Sequence, residues 1–346
     1  MKAVHVAVAV IYESPESRRV LIAKRADHLH QGGLWEFPGG KVEVGETVER
    51  ALIREVREEL AVDCDPSSIA PLMRIHHHYS DKSVLLDVWT VSRFAGCPQG
   101  VEGQPIRWVE PSELCQYDFP EANQAIVRTL MLPTLYIIHS ETSQGWGELP
   151  DLQAFRKRAA LLRLRPFHKT SPDVSQLLLN ASRDGLAGYF AEVLRNIPGS
   201  SIRVMVPLAV LPQVVSLVGA SEFVAGVHLT ALEMRAVAKE QVLSLLGQGY
   251  LVCGSCHNLE EVLLANALGL NVITLSPVNA TKSHPGTPPL GWIGFRELAA
   301  RADMPVYALG GMTPGDLPRA LAHGAIGVAG IGAFTGKSPS ISIKPD

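Results

Sequence analysis

The run Gly40–Val62, GKVEVGETVERALIREVREELAV, constrains this chain more than any other stretch. From Val48 onward its apolar residues recur at helical spacing, with Val48, Leu52, Val56 and Leu60 on one stripe that a core can bury. Glu55, Glu58 and Glu59 stand at i, i+3 and i+4, so their carboxylates project from one face beside that stripe. Held that close, they repel one another unless a cation sits between them. Hard oxygen donors on a helix suit Mg²⁺, with Mn²⁺ possible, the octahedron being completed by waters and the phosphates of a substrate. A charged helix face can also be merely solvated. The approach to the helix argues against that here. In Phe37-Pro38-Gly39-Gly40 two glycines permit a close passage of backbone to a metal or phosphate, and Gly45 frees a second loop position before Glu46.

The order glycine, five residues, Glu46, seven residues, then Arg54-Glu55-Val56-Arg57-Glu58-Glu59 resembles the signature of the Nudix hydrolases, and every chemically required position matches. Ala61 departs from it, because that family prefers Gly at the helix end. Resemblance to the 8-oxo-dGTP diphosphatase (MutT-type) branch runs roughly from Met1 to Leu130. It implies an α/β/α sandwich with a mixed sheet, and metal ligation by Glu55, Glu58, Glu59, the Gly39 carbonyl and Glu102 of the loop Glu-Gly-Gln-Pro. It also implies that Arg54 orients Glu55, and that Arg25, Phe37, Gly40, Lys41, Glu46 and Asn123 contact the substrate. Lys24 and Arg25 read equally well as a surface pair. Asn123, in Asp118-Phe119-Pro120-Glu121-Ala122-Asn123, has the acceptor and donors to read a purine edge, yet an Asn in that setting is also an ordinary helix N-cap.

A chain of 346 residues, 47% hydrophobic and 19% charged, can bury substantial cores and is long enough for two domains. Its net charge of −3 supplies no basic field for tracking a phosphate backbone, which sets polymeric nucleic acid aside as a partner and leaves small nucleotides. Five cysteines without a framework spacing point to a reducing compartment, the cytoplasm. The N-terminal AVHVAVAVIY reads as a strand, and no run approaches a membrane span.

In chain order, Val4 to Tyr12 and Arg19 to Arg25 predict a hairpin across Glu13–Ser17, and Met73–Tyr79 and Val84–Phe94 predict further strands. His76-His77-His78 alternates faces in a strand, so it cannot bring three imidazoles to one metal. Near Met131-Leu132-Pro133-Thr134 the character changes, giving domains 1–131 and 132–346. Strands expected at 135–139, 160–165, 202–206, 224–228, 249–253, 271–275, 305–309 and 326–330, with helices between, fit a (β/α)8 TIM barrel.

In such a barrel chemistry belongs to the carboxyl ends of strands, where Arg163, Arg165, His228, Ser255, Gly310-Gly311 and Gly330 fall. This half resembles thiamine-phosphate synthase and its TenI-like relatives through Gly226-Val227-His228-Leu229, Cys253-Gly254-Ser255-Cys256-His257-Asn258, Thr281-Lys282-Ser283-His284-Pro285-Gly286 and Ala308-Leu309-Gly310-Gly311-Met312. The resemblance implies a thiamine-pathway phosphate or pyrophosphate held by Ser255, Lys282, Gly310 and Gly311, and the place of Arg163 and Arg165 at a strand end adds them as phosphate contacts. It departs at Met205-Val206-Pro207, where the synthase has an Asn-Asp pair for substrate and Mg²⁺, and at Glu233, where it has Asp. Cys253-Gly-Ser-Cys256-His257 also matches the spacing of haem attachment and of redox thiols, readings the barrel strand end disfavours. The function expected is Mg²⁺-assisted hydrolysis of a nucleoside triphosphate, best 8-oxo-dGTP, to the monophosphate and diphosphate. Hydrolysis of a thiamine-pathway or other diphosphate, and a barrel acting as a non-catalytic ligand sensor, are the alternatives.

Overall fold

The computed structural model describes residues 4–27, 31–78, 83–140, 159–165, 193, 201–216, 223–281 and 288–331. In chain order the first part comprises β1 (Val4–Ile11), β2 (Val20–Lys24), β3 (Trp35–Glu36), β4 (Gly39–Lys41), α1 (Val48–Leu60), β5 (Asp63–Cys64), β6 (Ile69–His78), β7 (Ser83–Val91), β8 (Phe94–Ala95), β9 (Ile106–Val109) and α2 (Gln124–Leu130). A mixed sheet runs β4-β1-β7-β6: β1 pairs with β7 in parallel, while β4 on β1 and β6 on β7 are antiparallel. A second sheet runs β3-β2-β9.

The hairpin expected of the first two strands does not form as such. Only Tyr12 and Val20 bridge, and beyond them β1 enters the mixed sheet while β2 pairs with β3 and β9. The turn residues make the reversal that their chemistry dictates. The strands then diverge, β1 to pair with β4 and β7 and β2 to pair with β3 and β9.

Helix α1 forms where its apolar stripe ends in usable caps. The Thr47 hydroxyl accepts from the Arg50 N–H at the N-terminus. At the other end Ala61 takes the left-handed conformation, φ 56°, and donates its N–H to Arg57 O. Ala51, Leu52, Val56 and Leu60 are buried against Ala7, Ala9, Ile11, Leu21 and Val91. Each fully buried aliphatic side chain contributes about 1.5–3 kcal/mol, enough to hold the helix whatever its charged face does.

The second part contains β10 (Leu135–Ser140), β11 (Ala160–Arg165), β12 (Ile202–Val206), β13 (Val224–Leu229), β14 (Leu251–Cys256), β15 (Val272–Leu275), β16 (Val306–Leu309) and β17 (Ala325–Gly330), closed in that order into a barrel. The fifth strand starts and ends later than the pattern suggested, which puts Ser255 inside the strand, one residue from its end. By its contacts the chain separates into one unit of Met1–Leu132, Gly291–Val306 and Pro318–Ile326, and another of Pro133–Leu290, Tyr307–Leu317 and Gly327–Asp346. Among the described residues no helix is long and apolar enough to cross a membrane.

Candidate active site and barrel interior

Strand β4 and helix α1 set the first site. Gly40 lies so close under the helix that a Cβ there would fall 2.1 Å from the Glu55 carboxyl carbon, and one on Gly39, φ 149°, would fall 2.1 Å from Ala7 O. The two glycines thus admit the Glu55 carboxylate on one side and the β1 backbone on the other.

Arg54 is the organiser of this face. Its Nε and Nη2 donate to the two Glu46 oxygens at 3.1 and 2.9 Å, and Nη2 also donates to Lys41 O at 3.1 Å. Its Nη1 donates to Glu55 Oε1 at 2.7 Å and to Glu58 Oε2 at 3.3 Å. These hydrogen bonds, with Glu46 first and Glu55 second, hold the guanidinium well above its usual range. Glu46, expected to touch substrate, is here a two-oxygen seat for Arg54. Glu58, its side chain 61% exposed, remains the most accessible of the helix carboxylates.

Glu59 is different. It points inward, its Oε2 accepting from the Gly39 N–H at 3.2 Å. Burial pushes its carboxyl up to about 8, an effect the Gly39 bond opposes and the charges of Glu36, Glu55 and Glu102 reinforce. Glu102 rides on an exposed loop pinned to the end of the helix, where Gln104 Nε2 and Val101 N both donate to Glu59 O. Glu36 was not singled out from the sequence. It is ion-paired with Arg25, and burial still raises its carboxyl despite that partner. Alternation along Trp35-Glu36-Phe37 could have marked it, since Glu36 lies opposite Ala23 and so turns the way Arg25 turns.

Among the described residues no three His, Cys, Asp or Glu side chains stand ready-made around one point, because Arg54 draws Glu55 and Glu58 to itself while Glu59 leans on Gly39. The donor chemistry nevertheless fits a hard divalent cation. The donors are carboxylate oxygens with the Gly39 carbonyl, and the crowding that raises the Glu59 carboxyl is one that such a cation would relieve.

Beside this face Phe37, buried, stacks on Phe119 with ring centres 5.5 Å apart. Asn123 stands at the start of α2 but makes no side-chain capping bond; its Oδ1 accepts instead from the Phe37 N–H at 3.5 Å. Asn123 thus occupies the N-cap position of α2 while its side chain serves Phe37. Arg25, the expected phosphate contact, is occupied by Glu36.

Inside the barrel, Arg163 is buried and Arg165 half-buried, and among the described residues no carboxylate lies within ion-pair distance of either. Burial pulls both guanidinium groups below their usual range, and Arg163 adds to the effect on Arg165. His228 lies between two hydroxyls, Tyr136 Oη at 2.6 Å from Nδ1 and Ser255 Oγ at 2.8 Å from Nε2. Glu233 caps its own helix, exchanging bonds with Thr230, and its charge reaches Arg163. Gly310 and Gly311 both hold positive φ, 101° and 67°. Lys282 and most of the Thr281–Gly286 motif lie outside the described residues. Cys253 and Cys256 are buried thiols that burial pushes far from the thiolate, which removes the redox reading.

A helix face of carboxylates organised by one arginine against a diglycine corner defines a hydrolase acting on phosphorus anhydrides. The NUDIX domain family model matches residues 7–129, and the chain belongs to the Nudix family. It is 36% identical over 130 residues to an 8-oxo-dGTP diphosphatase of Escherichia coli (strain K12), covering 38% of this chain and 98% of that one. A CTP pyrophosphohydrolase of the same organism is 34% identical over 132 residues, 38% of this chain and 93% of that one. Residues 215–334 match the thiamine monophosphate synthase family model, and the barrel is thiamine-phosphate synthase-like. A thiamine-phosphate synthase of Chlamydia caviae is 29% identical over 121 residues, 34% of this chain, and the chain spans only 56% of that relative's length.

Proposed function

We propose that residues 1–131 form a metal-dependent pyrophosphohydrolase whose preferred substrate is 8-oxo-dGTP, cleaved to 8-oxo-dGMP and diphosphate, and that residues 132–346 form a barrel holding a phosphorylated thiamine-pathway ligand with little synthase turnover. The observation that carries the first reading is the crowding of Glu36, Glu55 and Glu102 around the inward-facing Glu59 at the Gly39 corner. Glu55, Glu58, Glu59, Glu102 and the Gly39 carbonyl would hold Mg²⁺, or Mn²⁺, which when bound neutralises phosphate charge and acidifies water.

The chain's own groups do the rest. Arg54 fixes the Glu55 and Glu58 carboxylates, Glu46 and Lys41 O fix Arg54, and a carboxylate of this face takes the proton of the attacking water. Arg25, once it exchanges Glu36 for phosphate, and the Gly40-Lys41 backbone meet the phosphate chain. Phe37 flanks the base, and Asn123, whose Oδ1 is engaged by the Phe37 N–H, offers its amide N–H groups to the purine edge. The similar likeness to a CTP pyrophosphohydrolase favours a second reading, a pyrimidine triphosphate as substrate. Hydrolysis of 8-oxo-dGTP, dGTP, CTP and thiamine diphosphate by the intact protein with Mg²⁺ separates these readings. The highest kcat/KM is expected for 8-oxo-dGTP; a preference for CTP or thiamine diphosphate reverses the assignment.

For the barrel, the supporting observation is a pair of arginines, one of them buried, with no carboxylate among the described residues at ion-pair distance, Glu233 acting on Arg163 only from farther off, an arrangement that favours an anionic guest. Val206-Pro207 offers no acidic residue where the synthases carry one, so turnover is expected to be absent while binding persists.

A further inference from the structure

We infer that Tyr136 is a positioning residue which fixes the neutral His228 ring with its proton on Nε2, so that Ser255 turns its hydroxyl proton outward to an anion at the barrel mouth instead of being deprotonated as a nucleophile. The inference rests on the reading of the barrel as a phosphate binder, and carries it to the atoms that do the binding.

The geometry is a chain of hydrogen bonds crossing three strands, β10, β13 and β14. Tyr136 and Cys253 are fully buried, His228 is 2% exposed, and Ser255 alone is half-open. Tyr136 Oη meets His228 Nδ1 at 2.6 Å, His228 Nε2 meets Ser255 Oγ at 2.8 Å, and the buried Cys253 thiol near the tyrosine hydroxyl donates to Gly254 O at 3.9 Å. The imidazole is neutral: burial, with Arg163 and Arg165 nearby, keeps its pKa well below the usual value. A neutral ring carries one N–H, so each of its two contacts has a fixed donor, and only two arrangements satisfy both.

In the inward arrangement Ser255 donates to Nε2, Nδ1–H donates to Tyr136, and the tyrosine proton ends on Cys253 sulfur. Sulfur is a poor acceptor, and the position is fully buried, so a hydroxyl donor is left nearly unsatisfied where that is costly. In the outward arrangement Tyr136 donates to Nδ1, Nε2–H donates to Ser255, and the serine proton is free for solvent or a phosphate oxygen. Only an acceptor lone pair of the tyrosine oxygen is then left to the positive field of Arg163, the Cys253 thiol donating to Gly254 O, and an under-satisfied acceptor is tolerated better than an under-satisfied donor. Outward polarity wins. It also makes Ser255, bonded to the ring that feels the charges of Arg163 and Arg165, an outward donor, the polarity that an anionic guest needs.

The test uses the full-length protein labelled with ¹⁵N-histidine, the His228 signals being identified by their loss in His228→Gln. Expected is a protonated Nε2 and an unprotonated, hydrogen-bonded Nδ1. Titration calorimetry with inorganic pyrophosphate should show Tyr136→Phe weakening binding about fivefold to tenfold, as one lost ordering hydrogen bond would. Ser255→Ala should weaken it to the same degree, and the double variant no further, since Tyr136 acts through Ser255. A wild-type ring protonated on Nδ1 overturns the inference even if the phenylalanine variant fails to fold. So does a folded Tyr136→Phe with unchanged ring signals and affinity. Wild-type protein that binds neither phosphate nor pyrophosphate removes the guest, and the phosphate reading falls separately from the ring assignment.

Discussion

The two candidate sites solve opposite electrostatic problems. On α1 an excess of carboxylates is gathered at a partly open face and only partly neutralised, by Arg54 and by Arg25. In the barrel an excess of guanidinium is gathered in the interior, and the groups around it, Tyr136, His228, Cys253 and Ser255, are held in their neutral forms. The first arrangement suits a cation and, Glu102 apart, is built from residues close in sequence. The second suits an anion and is built from residues far apart. A site assembled on one helix turn can be read from spacing, whereas a site assembled across barrel strands depends on register.

The contrast is broken most directly at Glu58. If the carboxylate face carries hydrolysis, Glu58→Gln keeps the size of an exposed side chain, removes one ligand charge, and should lower kcat at least about 100-fold with circular dichroism and melting unchanged. Pyrophosphate binding by the barrel should not move. Wild-type turnover in this variant would falsify the placement of the metal.

Asn123 sharpens the same comparison within the first site. Asn123→Ala should leave hydrolysis of an unmodified triphosphate within about threefold while reducing the preference for 8-oxo-dGTP over dGTP by roughly 10-fold, the scale of one lost base-edge contact. Equal losses on both nucleotides would mean that Asn123 supports Phe37 and reads nothing.

Stability against pH should run in opposite directions in the two halves. The Glu59 carboxyl, raised to about 8 from an ordinary 4.5, binds its proton more tightly in the folded state. Its contribution is therefore complete below about 4.5 and is lost as pH rises toward 8. His228 is depressed below 6.5, so its contribution is present above that value and is lost as pH falls. Amide hydrogen exchange of the metal-free protein, corrected for intrinsic rates, should show α1 and β4 better protected at pH 5 than at pH 8, and β13 and β14 the reverse. Glu59→Gln should flatten the first trend, and added Mg²⁺ should protect α1 chiefly at pH 8. Parallel trends in both halves would dissolve the comparison.

What was legible in the sequence follows the same division. The helix bounds, the diglycine corner and the strands of the barrel were readable because period and turn chemistry are local. The divergence of β1 from β2 was not, since it depends on which distant strand offers the better edge. Glu46 was legible as important but not in its role, because its bond to Arg54 spans a loop whose course the spacing does not specify. Tyr136 lies 92 residues from His228 and carries no motif of its own, so only strand register brings them together.

The smallest expected effect concerns the one departure from the helix signature. Ala61 holds φ 56° and ψ 34°, a left-handed backbone in which its Cβ crowds the following carbonyl at about 1–2 kcal/mol. Glycine takes this conformation without that cost but loses more entropy on folding, about 0.5–1 kcal/mol. The difference predicts that Ala61→Gly stabilises the α1 unit by about 0.5–1 kcal/mol, a rise of about 2–4 °C in its melting transition, with kcat unchanged because the Arg57 O bond is backbone-made and persists. Differential scanning calorimetry with a hydrolysis assay on the same preparation checks both parts. A melting temperature that falls would mean that the Ala61 methyl makes a contact worth more than the strain. An altered kcat would mean that the helix end helps to set the geometry of Glu58 and Glu59, and the carboxylate site would then be less local than its contrast with the barrel implies.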